Sequence, residues 1–109
     1  MSSIAIPVRH RFDVEAFHRL GEAGVLAPEA RVELIEGDIV EMAPIGWRHS
    51  NTINRLTKLL VLAAGDRAVV AVQNPVRLSR FSEPQPDFAL LTPAYLCQQR
   101  HPEPADTLV

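Results

Sequence analysis

Three residues stand out for what their side chains can do: Asp87, Glu33 and His49. Asp87 follows Pro86 and opens the apolar run Phe88-Ala89-Leu90-Leu91. Proline holds its predecessor, Gln85, in extended geometry and so fixes the approach to the aspartate. A carboxylate at the mouth of a buried strand is costly unless it is paired, hydrogen-bonded or bound to a cation. Magnesium is commonly held by one or two carboxylates, with water and substrate phosphate completing its shell. Asp87 is therefore either a first metal ligand or a loop cap that accepts from a backbone N–H. Glu33 is either an acid pointing into a cleft or one polar residue on the wet side of a strand. His49 stands at a helix entrance. There it either orients a phosphate or a water, or acts as a base near neutral pH, or it is an ordinary half-buried, hydrogen-bonded histidine.

Other polar residues have simpler readings. Gly37 serves a turn. Arg48, Arg55 and Lys58 read as a solvated helix face rather than as phosphate contacts. His101 and Cys97 fall in a loop without metal-ligand spacing, so no zinc site is expected from them. There is no glycine-rich phosphate loop, no GxSxG and no HExxH.

The elements that must position these residues can be read along the chain. Residues 1–11, with Pro7, read as a lead-in, and residues 12–109 as one domain portion. A first helix starts at the N-cap Asp13, with Phe12 and Phe17 at hydrophobic-staple spacing and Gly21 and Gly24 as candidate stops. Val14, Phe17 and Leu20 are its core residues. Arg31–Glu36 and Ile39–Ala43 then form a hairpin around Gly37-Asp38. That turn pairs Ile35 with Val40 and Glu33 with Met42. A second helix runs from about Trp47 to Ala64, with Ile53, Leu56, Leu60 and Ala63 as its apolar stripe and His49 on the same inward line. Gly65-Asp66 ends it. Strands are expected at 68–72, 76–78 and 87–91, the last buried on both faces.

The totals bound the function. A chain of 109 residues, 47% hydrophobic and 22% charged, is an ordinary single globular domain. Its formal net charge of -2 argues against a plain nucleic-acid-binding domain held by bulk charge. A bound divalent cation would supply positive charge locally, so an acidic nuclease remains open. A single cysteine, Cys97, forms no internal disulfide and fits a cytoplasmic protein. No secretion signal is seen, and the apolar stretch Leu59–Ala64 is far too short to span a bilayer.

Taken in order, "RVELIEGDIVEMAP", "RHS" at the helix entrance, "VQNPVRL" and "SEPQPDFALL" resemble the Uma-type restriction endonuclease family of the PD-(D/E)xK nuclease superfamily. The resemblance covers the chain from about residue 12. It implies an α+β (α/β-like) fold, a restriction-endonuclease-like mixed sheet flanked by helices with a metal at one sheet end. It implies Asp87 as the aspartate of the "PD" motif and ligand to Mg²⁺ or Mn²⁺, Glu33 as a second acid, His49 as the helix-entrance histidine, and DNA as substrate. It also asks for a later strand bearing a second carboxylate, then a lysine, neither of which follows Asp87 here. Without that strand, Asp87–Leu91 should expose an apolar edge, so a longer protein or a homo-oligomer is expected. The competing expectation is a non-catalytic nuclease-fold module used for self-association or partner binding.

Overall fold

The computed structural model describes residues 5–109, so part of the expected lead-in, residues 1–4, lies outside the described residues. Residues 5–11 form no helix or strand and are exposed, with Arg9 reaching Asp38 at 2.9 Å.

Helix α1 spans Val14–Glu22. It starts where it does because Asp13 is extended and its carboxylate accepts from the Ala16 N–H at 2.8 Å. Gly21 lies inside the helix; Gly24, at φ +76°, provides the left-handed residue just beyond its end. Val14 is its buried anchor, while Phe17 and Leu20 are half-buried.

Strands β1 (Val32–Ile35) and β2 (Asp38–Glu41) pair antiparallel. The turn is Glu36-Gly37, not Gly37-Asp38. Both turn residues have positive φ, 49° and 85°, the backbone of a type I′ hairpin turn. The register therefore pairs Ile35 with Asp38 and Glu33 with Val40. It differs from the expected register by two residues, and because side chains alternate with period two, the faces are unchanged. The face carrying Leu34 is the covered one. Leu34 has no exposed surface, whereas Ile35 and Val40 are exposed. Full burial of a leucine contributes about 1.5–3 kcal/mol.

Helix α2 spans Trp47–Ala64 and packs on β3 (Val69–Val72). Its inward line is Ile53, Thr57, Leu60 and Ala64; Leu56 and Ala63, expected in the stripe, are exposed. The Thr57 hydroxyl donates to the Ile53 carbonyl at 2.7 Å, which lets a polar residue occupy that line. Gly65, at φ +54°, closes the helix with its N–H on the Val61 carbonyl.

Strand β4 (Phe88–Leu91) pairs antiparallel with β3, placing Ala71 opposite Ala89 and Val69 opposite Leu91. With Val76 these form the main buried cluster, against which Tyr95 packs. The expected strand at 76–78 does not form. Val76 and Leu78 instead donate to the carbonyls of Pro84 and Ser82, closing a loop back on itself.

The far edge of β4 is not left open. Leu108 N–H donates to the Leu90 carbonyl at 2.7 Å, Leu90 N–H to the Val109 carbonyl at 2.8 Å, and Thr107 bridges Leu91. The expectation of a bare apolar edge is thus corrected, because residues 106–109 fold back along it.

Among the described residues the architecture is α+β, two helices with two small antiparallel sheets, consistent with the restriction-endonuclease-like fold that the resemblance implies. Among the described residues no helix is long and apolar enough to cross a membrane.

Candidate functional site

The segment that carries Asp87 is strapped along β1. Phe81 accepts from the Gly37 N–H at 2.7 Å, and the Ser82 hydroxyl accepts from the Glu36 N–H at 2.9 Å. The Glu83 N–H donates to the Leu34 carbonyl at 2.7 Å. The Glu33 carboxylate then accepts from the Gln85 N–H at 2.7 Å. Residues 81–85 so behave as an irregular neighbour of β1, joining the hairpin to β4. On the turn itself, Gly37 lets the chain at Arg11 pack close, since a Cβ there would meet Arg11 Cβ at 2.6 Å.

Asp87 sits where this strap becomes β4. Its carbonyl accepts from the Gln73 N–H at 3.0 Å, extending the ladder just past the end of β3. Gln73 holds φ at 52°, a left-handed conformation that a non-glycine side chain rarely adopts. The Asp87 carboxylate faces the first turn of α2, where His49 Nε2 lies 3.3 Å from Oδ1. Both side chains keep nearly half of their surface in water, 46% for His49 and 49% for Asp87. His49 lies one helical turn before the buried Ile53, yet it is exposed. It is not the inward residue expected of that line.

All three residues singled out in the sequence thus converge on residues 85–87. Asp87 and His49 touch, and Glu33 acts one step away by gripping the backbone two residues before Asp87. Glu33 is half-buried and uses Oε1 for the Gln85 N–H rather than for Asp87. A half-hydrated carboxylate suits Mg²⁺, which keeps several of its waters. Arg48, Arg55 and Lys58 are exposed on α2.

Residues 14–108 match the Uma2 family, described as "Putative restriction endonuclease". The chain belongs to this family. Searches of curated proteins and of solved structures gave no match. Restriction-endonuclease-like proteins usually use divalent metal ions, and DNA is the substrate class this family indicates.

A cavity of about 650 Å³ lies elsewhere, beside His18, Glu83 and His101. Sequence reasoning missed this cluster. Its members are separated by 65 and 18 positions, and no local spacing links them. The single signal was Glu83 itself, a carboxylate in the "SEPQPD" segment that turns out only 3% exposed.

Proposed function

We propose that this Uma2-family chain contributes the metal-binding half of a Mg²⁺- or Mn²⁺-dependent DNA endonuclease site. The observation that carries the reading is the approach of His49 to Asp87 at the junction of α2 and β4. Asp87 is the ion's carboxylate ligand. His49 positions that carboxylate or a water or phosphate oxygen beside it, and Glu33 fixes the strap on which Asp87 stands. A cation bound there would polarise a phosphodiester and lower the pKa of the attacking water.

Among the described residues, the groups brought to Asp87 are His49 and, through Gln85, Glu33. The second carboxylate and the lysine that the resemblance asks for are not in that set. The reading assigns them to a second copy. On this reading one copy alone binds the ion without completing cleavage, and the protein works in the cytoplasm. Plasmid nicking by the protein, with Mg²⁺ and alongside Asp87→Ala, tests it. Loss of nicking in the variant is expected; equal nicking would reject Asp87 as ligand.

One feature favours the second reading, a non-catalytic module for self-association. Leu59, Val61 and Leu62 on α2 are exposed at 61%, 51% and 71%. An apolar helix surface of this kind marks an interaction site. Light scattering behind a sizing column tests it. A dimer broken by Leu62→Lys would support self-association, and a monomer at high concentration would oppose it.

A further inference from the structure

The cavity beside α1 holds chemistry that the Asp87 site does not use. His18 projects from α1, Glu83 from the strap along β1, and His101 from the loop before a short 3-10 turn at Pro104–Asp106. One donor atom from each lies within 4.8 Å of the other two. His18 Nε2 is 2.7 Å from Glu83 Oε1, and the rings of His18 and His101 meet edge to face with centroids 5.7 Å apart.

Each member is held by separate contacts. α1 is anchored by the buried Val14 and the Asp13 cap. The Glu83 backbone is bonded to Leu34. The His101 loop is tied down by the Arg77 N–H on the Pro102 carbonyl at 2.8 Å and by the Tyr95 hydroxyl on the Arg100 carbonyl. The cluster is therefore convergent rather than a chance meeting of free surface chains.

A hydrogen-bonded His18–Glu83 pair accounts for only part of it. Glu83 is 3% exposed, and its second oxygen, Oε2, is buried with no hydrogen-bond partner among the described residues. Leaving a carboxylate oxygen buried and unpaired is costly. The two arginines in the cavity wall do not relieve it: Arg77 pairs with Glu15 and Arg100 with Asp106. A cation held between the two imidazoles and the carboxylate would compensate that oxygen.

We propose that His18, Glu83 and His101 form a site for a divalent first-row transition metal ion, Zn²⁺ foremost. Two imidazoles and one carboxylate suit such ions, whereas Mg²⁺ prefers oxygen alone. The ion would take the place of the direct His18–Glu83 hydrogen bond. The cavity leaves the fourth position open to water or to a small anion. The ion would tie α1, the strap and the C-terminal loop together. This site is separate from Asp87 and does not rest on the endonuclease reading.

The test is titration of the chain with Zn²⁺, and with Co²⁺ as an optical probe, at neutral pH. One equivalent should bind, with visible Co²⁺ bands and a higher Tm. His18→Ala and Glu83→Gln should each weaken binding by more than about 10-fold, since even indirect supports of a metal site are worth that much. Asp87→Ala should leave it unchanged. Because a variant at Glu83 could loosen the fold, ¹⁵N spectra of the unaltered protein provide an independent readout. Zn²⁺ should shift the ring nitrogens of His18 and His101 and leave those of His49 in place. Absence of binding, or shifts at His49 instead, would overturn the proposal. Zn²⁺ binding lost in Asp87→Ala but kept in His18→Ala would overturn it too while supporting Asp87 as a ligand.

Discussion

Glu33 Oε1 accepts from the Gln85 N–H at 2.7 Å, so an acid of the β-hairpin grips the backbone two residues before Asp87. The bond spans 52 positions of sequence and is partly buried. It makes the hairpin a mount for the Pro-Asp segment, not merely a neighbour of it.

Removing that grip should loosen the strap. Glu33→Ala leaves the Gln85 N–H without its charged acceptor, a loss of about 1.5–3 kcal/mol for a hydrogen bond to a charged group. Glu33→Gln keeps an acceptor oxygen and should recover part of it. Urea unfolding of the three proteins measures both. Identical midpoints for wild type and Glu33→Ala would show that the strap does not depend on this bond.

Asp87 and His49 should behave in the opposite way. Both are nearly half in water, so exposed pairing between them contributes little to stability. Asp87→Asn and His49→Ala are expected to melt within a few degrees of wild type while Mg²⁺ binding falls, steeply for Asp87→Asn and partially for His49→Ala. Calorimetric Mg²⁺ titration beside a thermal melt reads the two effects separately. A large drop in Tm with unchanged ion binding would make the pair structural.

Gly37 should tolerate no side chain. Its φ is +85°, and an added Cβ would sit 2.6 Å from Arg11 Cβ. Left-handed strain alone costs on the order of 1–3 kcal/mol, and Arg11 or the strap must also move. Gly37→Ala should therefore lower the unfolding midpoint, and protection of the Gly37 amide from hydrogen exchange should fall with it. An unchanged midpoint would mean that the turn re-forms in another register.

Acid should loosen the cover of β4 through Asp106. The Arg100 guanidinium grips its carboxylate with two contacts, 2.6 and 3.3 Å, and the Glu103 N–H donates to it at 2.9 Å. The Arg100 hydrogen bond, then the Glu103 backbone bond, hold its pKa below the ordinary carboxylate value. A carboxyl depressed in the folded state contributes stability above its unfolded pKa, and this is lost as pH falls through the folded value. Asp106→Asn should thus be the less stable protein at neutral pH, with the gap closing below the usual carboxylate range. The effect is small because the pair is exposed to solvent screening. Acid unfolding curves of the two proteins check it, and a gap that persists at the lowest pH would assign the effect to packing.

Much of the fold was legible because it is local. Asp13 announced α1 through its cap, the long apolar period gave α2, and the runs at 68–72 and 87–91 gave two strands whose pairing the structure supplies. The choice of Asp87, Glu33 and His49 also came from residue type and family resemblance, and the structure brings them to one junction.

What the sequence by itself determined is therefore the helices, the strand segments and the chemical character of three residues, since capping, periodicity and proline act over a few positions. Tertiary structure decided the rest. It placed the turn at Glu36-Gly37, where Gly37 lies against Arg11 and its N–H donates to Phe81. It turned 76–84 into a loop strapped to β1, and it folded residues 106–109 over the edge of β4. It also gathered His18, Glu83 and His101 around one cavity. Each of these depends on which distant backbone groups and buried surfaces meet, and no periodicity within a single segment records that.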